Sequence, residues 1–176
     1  MTTVRDALLR PAAPAARDEA GLLAAFAARE RARFEARLAE VTRGLAPELV
    51  WLEAETARAV GLRGHPGRRW RPLLALAAAE AAAGDAARAL DVACAVELTH
   101  TASLVLDDLP CMDDAATRRG QDATHRMVGT AGAILVAVGM LGRAVELLGR
   151  DAAGARLARA WGEAVGFEGM VGGQVV

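Results

Sequence analysis

Apolar residues recur with the period of an α-helix along most of the chain. From Asp18 to about Gly44 they form a stripe opposite arginine and glutamate, as in an amphipathic helix. Glycine or proline separates this segment from the further helices that the pattern predicts, which cover 48–60, about 71–83, 85 to about 108, near 131–149, and 151–165. We find no alternating pattern typical of a strand and no internal repeat. The predicted fold class is therefore all-α.

The composition supports closely packed helices. Hydrophobic residues make up 53% of the 176 residues and aromatic residues only 3%, so alanine and leucine supply most of the apolar surface. A formal net charge of −1 gives no electrostatic basis for binding nucleic acid. Residues 1–15, rich in proline and alanine, are predicted to be a poorly ordered tail, and residues 16–176 to form the folded domain.

The chain shows no targeting or membrane signal of the usual kind. Its N-terminus lacks the apolar core of a signal peptide, and the longest uncharged run, 127–142, is shorter than the roughly 18–20 residues that cross a bilayer. Cys94 and Cys111 form no CxxC pair and suggest no disulfide framework. We therefore expect a cytoplasmic protein without a transmembrane segment.

The acidic stretch DDLPCMDD, residues 107–114, follows the mostly apolar segment 102–106. His100 and Ser103 lie seven and four positions before Asp107, on the same face of the predicted helix. Pro110 ends the helix and turns the chain so that Asp113 can return toward Asp107. Carboxylates at a helix C-terminus repel one another and the helix dipole, so a cation is needed. Arginine could supply it, but Mg²⁺ suits clustered oxygen ligands better. The alternative interpretation is a solvated acidic loop.

A second charged motif is GRRWRP, residues 67–72. It places Arg68, Arg69 and Arg71 at the start of the third predicted helix, where guanidinium groups and helix N-terminal amides can bind phosphate. Taken alone, such a cluster is more often solvated at a surface. Together with the acidic stretch it suggests two phosphorylated substrates brought together.

The segments GRRWRPLL, HTASLVLDD, LVLDDLPCMDDAATRRG and GMVGGQ, in this order, resemble the trans-isoprenyl diphosphate synthases. The sub-pattern is most similar to bacterial geranylgeranyl diphosphate synthases of carotenoid pathways. The resemblance implies a helical isoprenoid-synthase-type bundle that forms homodimers. It also implies Mg²⁺-assisted condensation of isopentenyl diphosphate with an allylic diphosphate.

The resemblance also implies roles for individual residues. Asp107, Asp108 and Asp113 would be catalytic and would bind Mg²⁺, and Arg118 would contact the allylic diphosphate. A further set would hold isopentenyl diphosphate, namely Gly67, Arg68, Arg69, Arg71, His100 and Arg119. Arg68 stands where the family usually has lysine.

Two small residues bear on product length. Ala102 and Ser103 lie five and four positions before Asp107, where bulky side chains would close the channel for the growing chain. We therefore expect a twenty-carbon product. Gln174, in the GGQ segment, could face the same cavity, although a helix-packing role is at least as plausible.

The resemblance covers about Leu52 to Val176, which corresponds to the first half of the family's domain. A second aspartate-rich motif found in the family's other half is not in this sequence. Three hypotheses follow: an N-terminal portion of a geranylgeranyl diphosphate synthase, nearly inactive alone; a farnesyl diphosphate synthase; or a non-catalytic partner subunit that docks through apolar helix faces.

Overall fold

A computed structural model describes residues 19–174, and the predicted tail at 1–15 lies outside that range. Seven α-helices occur among the described residues: α1 Glu19–Val41, α2 Val50–Ala59, α3 Trp70–Ala83, α4 Leu90–Asp107, α5 Thr124–Gly149, α6 Gly154–Val165 and α7 Met170–Gly173. Short 3₁₀ turns, Pro47–Leu49 and Ala86–Ala89, precede α2 and α4. One small hairpin joins β1 Thr117–Arg118 to β2 Gln121–Asp122. The predicted all-α class is confirmed.

Helix α4 lies at the centre of the structure and packs against α5, α3 and α1. Cys94, Leu98 and Ala102 of α4 are completely buried, as are Phe34 and Leu38 of α1. Because alanine is small, α4 and α5 can approach each other closely over most of their length. This packing fixes the C-terminal end of α4, where the acidic stretch begins.

Several helix ends differ from the pattern-based prediction. The third helix ends as expected at Gly84, which adopts a left-handed conformation with φ 74°. Asp85 acts as an N-cap, but its side chain accepts from the N–H of Ala87 in a 3₁₀ turn that precedes α4. Helix α5 begins at Thr124 rather than near residue 131, and non-helical backbone at Gly129 interrupts it. The early start was hidden because glycine at 129 breaks the apolar period.

The hairpin was not predicted, because the sequence shows no alternating strand pattern. Arg118 pairs with Gln121, and the two residues between them, Arg119 and Gly120, both have positive φ values of 54° and 76°. Two consecutive residues with positive φ form the tight turn that suits a β-hairpin. Strands of two residues are too short to show an alternating pattern, so the Arg-Gly pair was the one available signal.

Two helical segments, Ala86–Asp107 and Thr124–Gly149, are long and apolar enough to cross a membrane by length and hydropathy. The uncharged run at 127–142 lies within the second of these segments and is by itself too short to cross a bilayer. In the structure, 50% and 44% of their most apolar windows are buried inside the protein. Mutual packing of α4 and α5 therefore gives much of this apolar surface a protein partner.

Candidate functional site

An apolar cleft of about 500 Å³ runs along α4, and residues of α6 line its other side. Its apolar lining includes Val92 and Val96 of α4 together with Leu157 and Val165 of α6. Trp161 also lines the cleft and is held in place because its indole N–H donates to Thr99 Oγ1 at 2.8 Å. Such a cleft can enclose a flexible hydrocarbon chain and exclude water from it.

The acidic stretch begins where α4 ends, and its two leading aspartates have different surroundings. Asp108 is only 2% exposed and forms an ion pair with Arg118, whose Nε lies 3.0 Å from Oδ2. Asp107 is half-buried and accepts from the Nε2 amide of Gln174 at 2.7 Å. The backbone N–H of Asp113 donates to the carbonyl of Asp107 at 2.8 Å, so the loop returns as predicted.

Burial raises the pKa of Asp107, and the carboxylates of Asp113 and Asp108 raise it further, against the effect of Arg118. Negative charge around Asp107 is therefore incompletely neutralised by the protein. Among residues 19–174, no cluster of three or more histidine, cysteine, aspartate or glutamate side chains is arranged to hold a metal. Asp108 is paired with Arg118, so it does not form a three-carboxylate cluster with Asp107 and Asp113.

The available oxygen ligands nevertheless fit Mg²⁺. This ion takes one or two protein carboxylates and fills its other positions with water and phosphate oxygens. Asp107 is half-buried and Asp113 is exposed. A hydrogen bond between their backbones holds the two residues close together. These two residues would hold the ion, because Asp108 is buried and paired with Arg118.

A positively charged region borders the cleft. Arg71 and His100 both line it, and Arg71 Nη1 lies 3.2 Å from His100 Nε2. Burial lowers the pKa of His100, and the charges of Arg71, Arg119 and Arg118 lower it further, against the opposing effect of Glu97. The imidazole is therefore neutral near pH 7, and the arginines around it create a field that favours an anion. Arg68 precedes the start of α3, close to Arg71 in the chain, and is exposed.

Arg69 takes a different place from the one the motif suggested. Its side chain is fully buried, with Nη1 2.6 Å from Glu97 Oε1 and Nε 2.8 Å from Glu35 Oε1. Both ends of the guanidinium are thus engaged by carboxylates, so Arg69 does not reach the cleft surface to contact a diphosphate directly. Arginine side chains need such partners when they are buried.

Gly67 makes a close approach possible, but to a protein group. With φ +70°, it adopts a backbone conformation that glycine tolerates best, and a Cβ atom added there would lie 3.3 Å from Arg119 Cζ. Arg31 Nη2 donates to the carbonyl of Gly67 at 2.6 Å and holds the loop from its other side. The loop at 61–67 is therefore fixed by two arginines.

Only one of the two predicted chain-length residues faces the cleft. Ser103 lines it, and its hydroxyl donates to the carbonyl of His100 at 2.8 Å. Ala102 is completely buried in the core, because the next residue along a helix points about 100° away. Ala102 therefore does not line this cleft, although the sequence led us to expect both positions to face the channel.

Sequence reasoning missed three residues that shape the site, Glu35, Glu97 and Trp161; it named Gln174 as one that could face the cavity, but not its contact with Asp107. Glu97 offered a usable signal, since it lies in the apolar run of α4 three residues before His100 and so on the same face. A glutamate at such a position needs a buried cation. Glu35 and Trp161 become relevant only through tertiary contacts, for which no local pattern exists.

Comparison with known proteins gives consistent results. The family described as Polyprenyl synthetase matches residues 57–176. A geranylgeranyl diphosphate synthase of Pseudescherichia vulneris is 53% identical over 116 residues, which cover 62% of this chain and 38% of that protein. Geranylgeranyl pyrophosphate synthase 12, chloroplastic, of Arabidopsis thaliana is 45% identical over 116 residues, or 32% of its length. The chain thus spans about a third of the length of these relatives.

Solved structures show the same architecture. A geranyltransferase from Legionella pneumophila superposes with a TM-score of 0.81 at 29% identity, covering 90% of this chain and 57% of that one. An FPP/GFPP synthase from Zymomonas mobilis gives a TM-score of 0.78 at 30% identity, covering 89% and 57%. The helical bundle is therefore that of isoprenoid synthases over the part that is matched.

The low pKa of His100 can be tested by following its imidazole signals by NMR as a function of pH. We expect a pKa below 6.5, and Arg71→Gln should raise it only part of the way because burial is the larger cause. A folded-state pKa below the unfolded value means that the stabilisation present above pH 6.5 is lost as pH falls through the folded pKa. Arg156→Gln, on the exposed side of α6, is the matched control. A pKa above 6.5, or equal effects of both variants, would contradict this description.

Proposed function

Because this chain belongs to the polyprenyl synthetase family, we propose that it binds isopentenyl diphosphate and an allylic diphosphate and carries residues that join them. The proposed reaction is the elongation of farnesyl diphosphate to geranylgeranyl diphosphate. One observation supports it most directly: α4 carries His100 beside Arg71 along an apolar cleft and ends in the carboxylates of Asp107 and Asp108. Arg71 of α3 and the apolar residues along α4 therefore offer complementary groups to the charged and apolar ends of a prenyl diphosphate in one cleft.

The acidic end suits the allylic diphosphate. Mg²⁺ held by Asp107 and Asp113 would neutralise the charge that grows on the departing diphosphate. Arg118 stays 39% exposed in its side chain although Asp108 orients it, so it can donate to the same diphosphate. Asp108 acts in this scheme mainly by holding Arg118.

The arginine-rich region suits isopentenyl diphosphate. Arg68 and Arg71 lie at the start of α3, and neutral His100 can donate or accept without adding a charge. The cleft lining keeps water away from the carbocation that forms when the allylic bond breaks. No protein nucleophile is needed for this chemistry.

The twenty-carbon product is supported by the small side chain at Ser103, which leaves the cleft open alongside α4. It is also supported by the names of the curated relatives, which are geranylgeranyl diphosphate synthases. A bulky residue at this position would instead shorten the channel and favour a fifteen-carbon product. Ala102, buried in the core, makes no direct contribution.

Calorimetry with inorganic pyrophosphate tests the proposed binding function in the chain as it stands. We expect Mg²⁺ to tighten pyrophosphate binding, and Asp107→Asn or Asp113→Asn to weaken it by about tenfold, as expected for loss of one charge-assisted contact. Glu163→Gln on α6, an exposed acid paired with Arg159, should have no effect. Pyrophosphate affinity that ignores Mg²⁺, or that ignores both aspartate substitutions, would refute the proposal.

We also propose that two copies associate through the outer face of α5. This face carries Ile134, Leu135, Val138 and Val145, all exposed although large and apolar. Contiguous apolar surface of this kind marks an interaction site, and a two-fold axis lets one helix face bury its own copy.

Analytical ultracentrifugation checks this association. Leu135→Glu should shift the protein toward the monomer because a carboxylate would be buried in the interface. Leu22→Glu replaces another exposed leucine, on α1, and should leave the sedimentation unchanged. A wild-type protein that sediments as a monomer at all concentrations would contradict the proposed dimer.

A further inference from the structure

Glu97, a buried carboxylate on α4, lies where arginines from two other parts of the chain meet. We infer that Glu97 is a positioning residue that holds Arg119 in the positively charged region beside His100, called here the diphosphate region because the proposed diphosphate would bind there. The inference rests on the proposed function for the identity of the ligand, but the contacts that support it are those of the protein alone.

The contacts converge on one oxygen atom. Arg69 Nη1 lies 2.6 Å and Arg119 Nη2 lies 3.7 Å from Glu97 Oε1. Glu97 is 3% exposed and Arg69 is 2% exposed, so solvent does not screen the attraction between them. The shared carboxylate therefore links the start of α3, the hairpin turn and α4.

The charges of this cluster balance. Arg69 and Arg119 face Glu97 and Glu35, the latter bound to Arg69 at 2.8 Å. The two arginines are not equally satisfied, however. Arg69 is engaged by both carboxylates, whereas the buried Nη1 atom of Arg119 has no hydrogen-bond partner among residues 19–174. Arg119 thus has spare donor capacity, and its side chain is 20% exposed, so an added anion can approach the guanidinium group.

The backbone leaves Arg119 little freedom to find another position. It sits in the hairpin turn with φ 54°, and its guanidinium lies where side chains at two glycines would otherwise be. A Cβ atom at Gly61 would lie 3.3 Å from Arg119 Nη1, and one at Gly67 would lie 3.3 Å from its Cζ. The glycines provide space for the guanidinium, and Glu97 provides the charge that keeps it there.

Two substitutions separate positioning from simple electrostatics. Glu97→Gln removes a negative charge near the diphosphate region, which by Coulomb attraction alone would tighten anion binding. If Glu97 positions Arg119, the same substitution should weaken pyrophosphate binding instead, by about tenfold. Glu35→Gln is the matched control, because it also takes a carboxylate from Arg69 but does not touch Arg119. It should leave pyrophosphate affinity close to that of the wild type.

Calorimetry with inorganic pyrophosphate and Mg²⁺ and amide hydrogen exchange of residues 61–67 and 117–122 together decide the matter. Weaker binding and faster exchange in Glu97→Gln, but not in Glu35→Gln, would support the inference. Unchanged or tighter binding in Glu97→Gln, or equal losses in both variants, would overturn it. Glu97→Asp keeps the charge on a shorter side chain; should Glu97→Gln fail to fold, an intermediate loss in this variant supports positioning and none overturns it.

Failure of the proposed function gives a different result. A wild-type protein that binds no pyrophosphate would refute the proposed function. In that case the exchange rates alone judge Glu97: faster exchange of the hairpin in Glu97→Gln than in Glu35→Gln supports positioning, and equal rates overturn it.

Discussion

Helix α4 carries acidic side chains into the interior of the protein, and each of them needs a cation. Glu97 obtains it from Arg69 and Arg119, and Asp108 from Arg118. Leaving any of these buried carboxylates unpaired would cost roughly 3–5 kcal/mol, a large part of the stability of a domain of this size. The ion pairs therefore fix where the α3 start and the hairpin lie relative to α4.

Two adjacent arginines of the hairpin form ion pairs with carboxylates at different points along α4. Arg118 pairs with Asp108 and Arg119 with Glu97, which lie eleven residues apart and so about 16 Å along the helix axis. The hairpin thus lies along the end of α4 and borders both the acidic end and the arginine-rich region. Asp107 differs from the other two acids because, within residues 19–174, its side chain pairs with no arginine and accepts from the amide of Gln174; burial also raises its pKa. Its carboxylate, unlike those of Glu97 and Asp108, is not paired with an arginine among residues 19–174 and can accept an added cation.

Much of this arrangement was visible in the sequence, and the remainder depended on tertiary contacts. Apolar periodicity predicted the helices, since each buries one face, and the stacking of His100, Ser103 and Asp107 on α4 predicted the side of the helix that lines the cleft. The motif containing Arg69 did not reveal that this arginine points inward, because its partner Glu35 is 34 residues away. The hairpin escaped prediction because positive φ at Arg119 is imposed by a turn of two residues.

The central proposal is that the carboxylates at the end of α4 bind a divalent cation. Replacing Mg²⁺ with paramagnetic Mn²⁺ and recording backbone amide NMR signals tests it most directly. The account predicts that low Mn²⁺ concentrations broaden the signals of residues 107–114 first, and more strongly when pyrophosphate is present. Broadening that begins instead at exposed acids such as Glu146 or Glu163, with residues 107–114 unaffected, would contradict it.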